Sequence, residues 1–112
     1  MIARGFKVVA GRESEFEKIY GPEGSWQQVL RNAEGFLRTE LQYESVVERR
    51  YSGFDHWRSH KDFEVFREQQ QSRLDEFQQH VAEQGLIENE VLLGAFYLEQ
   101  DGPEDGSGLV PA

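Results

Sequence analysis

Residues 54–66, FDHWRSHKDFEVF, set the rings of Phe54, Trp57, Phe63 and Phe66 around two histidines, His56 and His60. Rings at that density can wall a pocket for a planar molecule, and an imidazole with an ordinary pKa near neutrality can take a proton from it. Tyr51 shares a strand face with Trp57 and adds a hydroxyl able to donate to a developing phenolate. Trp57, Tyr51 and His56 are therefore the candidate catalytic residues. Asp55, His56 and His60 also suggest a two-histidine, one-carboxylate metal site. Adjacent strand residues point to opposite faces, however, so Asp55 and His56 cannot both turn inward, and no metal is expected. Each residue also has a plainer reading: Trp57 as a plug at the end of the core, His60 as a solvated residue in a first helical turn, and His80 on an exposed face beside Glu76 and Glu83.

These side chains need elements to hold them. The opening IARGFKVVAG alternates Ile2, Arg4, Phe6 and Val8 with Ala3, Gly5, Lys7 and Val9, which predicts a strand covered on both sides. RESEFEKIY predicts a helix with Phe16, Ile19 and Tyr20 on its inner face, ended by GPEG. A capping box, Ser25 with Gln28, predicts a second helical stretch with Trp26, Val29 and Leu30 inward. FLRTELQYE and RRYSGFDHW, joined by SVVE, predict an antiparallel hairpin. In it Leu37, Thr39, Leu41 and Tyr43 oppose Phe36, Arg38, Glu40 and Gln42, while Tyr51, Gly53, Asp55 and Trp57 oppose Ser52, Phe54 and His56. A second capping box, Ser59 with Asp62, opens one long helix to about Gln84, striped by Phe63, Phe66, Gln70, Leu74, Phe77 and Val81. EVLLGAFYLE predicts a last strand, apolar on both faces and so expected inside a sheet.

The order strand, helix, strand, strand, helix, strand predicts an α+β, ferredoxin-like split βαβ subunit: a four-stranded antiparallel sheet with its helices on one face. Residues 1–99 form this domain, and the acidic, Gly/Pro-rich residues 100–112 are expected to be disordered or ordered only by a partner. Helices on one face leave the other uncovered although its strands are apolar too, so a homodimer that packs sheet on sheet is expected. A ligand cavity in such a subunit lies between sheet and helices, where Phe6, Phe54, Phe63, Phe66 and Phe77 are the candidate substrate-binding residues. Arg4 and Arg38 interrupt apolar strands and are expected to pair with Glu40 across the sheet, or else to bind an acidic or enolate oxygen.

The 112 residues suit one domain with one modest core. No apolar run is long enough for a membrane span or the centre of a signal peptide, so a soluble, cytoplasmic protein without a membrane partner is expected. The absence of cysteine excludes disulfides, thiolate metal sites and cysteine nucleophiles. The net charge is −9, of which Glu99, Asp101, Glu104 and Asp105 contribute four, and this sign argues against nucleic acid as a partner.

Three stretches carry a resemblance: FKVVAGRESEFEKIYGPEGSW at 6–26, GFLRTEL at 35–41 and RYSGFDHWRS at 50–59. Together they resemble the antibiotic biosynthesis monooxygenase family of dimeric α/β barrels, over about residues 2–98. The resemblance implies the dimeric fold and, in one branch, oxygenation of polycyclic phenols and quinols without a cofactor. That chemistry is coherent, because a phenolate or enolate can itself give an electron to triplet oxygen if a dry pocket stabilises the deprotonated form. The haem-degrading branch carries an asparagine on the first strand and a tryptophan and histidine on the second helix. Residues 2–9 hold no Asn, the helix from Ser59 holds Phe66 near the tryptophan's place, and His80 lies too far along, so haem is not expected. The expectation is a small monooxygenase that acts on an anthrone, phenol or hydroquinone without a cofactor. Its alternative is a non-catalytic small-molecule-binding or scaffold dimer of the same fold.

Overall fold

The computed structural model describes residues 1–97, and the expectation for the acidic tail lies outside them. The chain runs β1 (Ile2–Val8), α1 (Glu13–Tyr20), α2 (Ser25–Leu30), β2 (Phe36–Ser45), β3 (Arg50–Trp57), α3 (His60–Gln69), α4 (Gln71–Gln84) and β4 (Ile87–Ala95). The four strands form one antiparallel sheet in the order β2-β3-β1-β4. This is the α+β, ferredoxin-like arrangement that the alternation of strand and helix patterns predicts. No helix among the described residues is long and apolar enough to cross a membrane.

Strand parity decides which side chains meet the helices. Ile2, Phe6 and Val8 of β1 and Tyr51 and Trp57 of β3 enter one core with Phe16, Tyr20, Trp26, Leu30, Phe66 and Val81 from all four helices. Phe16, Leu30, Leu86 and Val8 are its most deeply buried side chains. Linked rings run through it: Phe6, Phe16 and Tyr20 lie mutually within 5.2 Å, and Trp57 meets Phe36, Phe63 and Phe66 within 5.7 Å. Such a chain of tilted and edge-on contacts fixes ring orientations as well as burying area.

Four expectations need correction. The long helix is two, because Gln70 leaves helical geometry (φ −116°, ψ 23°) and starts α4 afresh. The capping box at Ser25 does not form: Gly24 is the N-cap, Ser25 lies inside α2, and the Gln28 side chain reaches the Glu23 carbonyl instead. The β2–β3 register slips between Phe36 and Arg38, which turns Phe36 onto Trp57 and leaves Leu37 exposed. Finally β4 is an edge strand, and β1 and β3 are the interior strands, each paired on both sides.

The Ser59 cap does form, with its hydroxyl accepting from the Asp62 N–H at 3.1 Å and donating to Asp62 Oδ2 at 3.1 Å. Beside it the Arg58 N–H donates to the Gly35 carbonyl at 2.6 Å and ties the β2 entry to the end of β3. Gly35 has φ +86°, and a Cβ there would collide with the Asp62 side chain, so only glycine suits this corner. The stretch 54–66 is thus a braced strand-to-helix corner that holds Trp57 and Phe66 inward.

Candidate active site

Where the helices stand off the sheet, an apolar cavity of about 210 Å³ remains. Its walls are Trp26 and Leu30 of α2, Trp57 of β3, Phe63 and Phe66 of α3, Leu74 of α4 and Ile2 of β1. Arg67 and Leu92 line it too, and both are exposed, so the cavity reaches the surface between α3 and β4. Gln78 of α4 closes one side.

Arg4 and Asp55 form the polar floor. Arg4 Nη2 donates to Asp55 Oδ2, and the Trp26 indole N–H donates to Asp55 Oδ1 at 2.9 Å. The guanidinium carbon stands 4.7 Å from the centre of the Trp26 ring, and Nη1 lies 3.7 Å from Glu90 Oε2. Burial pulls the Arg4 pKa down, but the charge of Asp55 and its hydrogen bond outweigh burial, so the guanidinium stays charged. A carboxylate offers about four acceptor positions, of which Arg4 and Trp26 use two. The floor is therefore an ion pair that spans β1, α2 and β3, with acceptor capacity still open on Asp55.

The structure divides the sequence candidates. Trp57, Phe63 and Phe66 line the cavity. Tyr51 does not: it sits further along β3, where its hydroxyl donates to Glu17 at 2.5 Å and its ring stacks on Tyr43 at 4.3 Å. Burial and the hydrogen bond to Glu17 push its pKa up, so it remains a phenol. Phe6 lies in the core against Phe16 and Tyr20, and Phe77 packs on Trp26 at 5.2 Å, outside the cavity wall. Phe54 and His56 project from the opposite face of the sheet, where His56 Nε2 and Glu40 Oε1 share a hydrogen bond of 2.6 Å. Glu40 is thus the partner of His56 and not of Arg4.

Sequence reasoning missed the floor. In the sequence Asp55 reads only as a metal ligand, and Arg4 as a partner of Glu40 or of an acidic or enolate oxygen, although parity puts Asp55 and Trp57 on one face. The register places Arg4 opposite Gly53 and Ile2 opposite Asp55, so the guanidinium meets the carboxylate on a diagonal. Trp26, seen as part of an apolar stripe, also supplies the indole donor.

No family model matches the chain, and no curated protein matches it. Among solved structures it is similar to the crystal structure of PA3566 from Pseudomonas aeruginosa, with a TM-score of 0.51 and 14% sequence identity over 87% of this chain and 91% of that one. Likeness at that identity concerns the fold alone, and the fold it supports is the four-stranded α+β subunit described above.

Proposed function

We propose that the chain is a small cofactor-independent monooxygenase that takes an electron-rich phenol- or hydroquinone-type ring into the tryptophan-lined cavity. The observation that carries this reading is the placing of flat aromatic walls directly over the Arg4–Asp55 floor. A phenol held against the walls passes its proton to Asp55, and Arg4, released from a full carboxylate charge, pairs with the phenolate formed. Total charge in the cavity does not change, which keeps the transfer inexpensive in a site with little water. The phenolate then gives one electron to O2. Recombination of the radical pair forms a C–O bond, and loss of water leaves a quinone, so that one oxygen atom enters the ring and the other departs as H2O. A volume of 210 Å³ falls below the roughly 300–1,000 Å³ usual for drug-sized ligands, which favours one or two fused rings over an anthrone. The resemblance to antibiotic biosynthesis monooxygenases supports the same chemistry. We further propose that a second copy covers the free sheet face, where Phe54, Val91 and Leu93 flank Ala3, Gly5 and Ser52.

A second reading, a binding protein without turnover, is favoured by the positions of Tyr51 and His56, whose proton-transferring groups are engaged elsewhere. Oxygen uptake with chelator present, over a panel of phenols and hydroquinones, separates the two. Uptake above the spontaneous rate that falls at least about tenfold in Asp55→Asn, one base group lost, supports the oxygenase. Binding without uptake supports the second reading.

A further inference from the structure

We infer that the ligand of the tryptophan cavity is a phenolic carboxylate, its ring held by the aromatic walls and its anionic substituent taken by Arg67 at the mouth. The inference rests on the proposed reading of the cavity as a pocket for a small phenolic ring, and it names what that ring carries on its outer side.

Both layers that enclose the cavity supply it with charge. Arg4 and Asp55 belong to the sheet, whereas Arg67 comes from α3 in the helix layer and lines the opening beside the exposed Leu92. A ring whose hydroxyl rests on the sheet-borne floor turns its far side toward the helix layer and the opening. A substituent there comes within reach of the guanidinium.

Arg67 is held at that opening although it is exposed. Its guanidinium carbon stands 5.6 Å from the centre of the Phe63 ring, itself a wall of the cavity, and its Nη2 donates to Glu64 Oε1 at 2.6 Å. A cation stacked on one side chain and tied to another has already given up rotamer freedom that binding would otherwise remove. The tie to Glu64 engages Nη2, and a guanidinium offers five N–H donors in a planar fork, so donors remain for a carboxylate.

Charge separates an acid from a neutral group and from an amine. Arg4 already answers two carboxylates, Asp55 and, at 3.7 Å, Glu90. Arg67 answers one, Glu64, which is shared with His60 Nε2 at 3.0 Å and stands outside the cavity wall. Among the described residues Asp55 is the only acidic side chain that lines the cavity, and it lies at the floor. The mouth is therefore the cationic end. A carboxylate there gains charge-assisted hydrogen bonds, a neutral group gains less, and an ammonium meets a charge of its own sign.

The chain has two tryptophans, Trp26 and Trp57, and both line the cavity, so a change in intrinsic fluorescence reads binding there. Titrations of the full chain with 4-hydroxyphenylacetate, 4-ethylphenol and tyramine test the inference, because the three share a ring and differ in the charge of the substituent. The acid is expected to bind at least about fivefold more tightly than 4-ethylphenol, the scale of one charge-assisted hydrogen bond, and tyramine more weakly than either. In Arg67→Gln, checked by circular dichroism, the acid-to-ethyl ratio is expected to fall to about twofold or less. The ratio is taken within each variant, so a change in the cavity wall acts on both ligands and cancels. In the wild type the same ratio is expected to shrink as salt rises, since the pair is exposed. Acid binding no tighter than ethyl, or tightest binding by tyramine, overturns the carboxylate and leaves the ring pocket standing. A preference for the acid that survives Arg67→Gln, or that salt leaves untouched, overturns the assignment to Arg67. If none of the three binds, the ring pocket and the inference fall together.

Discussion

Asp55 and His56 are neighbours in sequence and face opposite ways from the same strand, and they show how differently the two faces of the sheet are built. Asp55 is buried, takes hydrogen bonds from Arg4 and Trp26, and joins three elements. His56 is half-buried and shares one hydrogen bond with Glu40, whose side chain is exposed. The helix face is a network in which each polar group depends on another, whereas the free face is a set of separate pairs among small and apolar residues. One face holds the candidate cavity together, and the other carries no such network among the described residues.

Breaking Asp55 should hurt most. Asp55→Ala strands the Arg4 charge and the Trp26 N–H in a buried setting and should cost about 3–5 kcal/mol in urea unfolding. His56→Ala, which removes one hydrogen bond to the exposed Glu40 carboxylate, should cost less than about 1 kcal/mol. Similar losses for both would erase the contrast between the faces. Next in size, Val91→Glu with Leu93→Glu places two charges on the free face, where the wild-type side chains are already half-exposed. Sedimentation should show the proposed dimer converted to monomer with unchanged circular dichroism. A wild-type chain that sediments as a monomer would remove the second copy from the account.

The smallest effect concerns the corner between the faces. A hydrogen bond from Arg58 holds the Asp62 carboxylate below its ordinary pKa. A depressed folded-state pKa stabilises above the ordinary carboxylate range, near about 4, and that contribution is lost as pH falls through the lower folded value. The urea midpoint should therefore fall with acidification below about pH 4, and less so in Asp62→Asn. An unchanged acid slope in that variant would assign the loss to other carboxylates such as Glu15 and Glu48, whose pKa values are also lowered, by Arg12 and Arg50.

Periodicity made most of the fold readable. Strand alternation assigned Ile2, Phe6, Val8, Tyr51 and Trp57 to one face, and helical spacing put Phe16, Ile19, Tyr20 and Phe66 against them. What stayed hidden was set by non-local geometry. The break at Gln70 follows no glycine or proline, and the slip at Leu37 exchanges two apolar residues, so neither leaves a compositional trace. The site was legible only by half. Trp57, Phe63 and Phe66 announced themselves by type and spacing, but the meeting of Arg4 with Asp55 depends on a diagonal across β1 and β3, 51 residues apart in the chain. Tyr51 and His56 were named for their chemistry, and their positions follow from parity and distance along β3.

The floor of the cavity draws Arg4, Trp26 and Asp55 from three separate elements, and β1, which carries the first of them, is flanked by β3 and by β4, the last strand described. During synthesis β1 therefore emerges first and waits longest, one of its edges unpaired until residues near 95 leave the ribosome. Its pairing with β4 is also the last long-range closure in the sheet. The proposed pocket and the described sheet are thus completed together, and a ligand of the proposed kind added during refolding would report on chains whose sheet has closed.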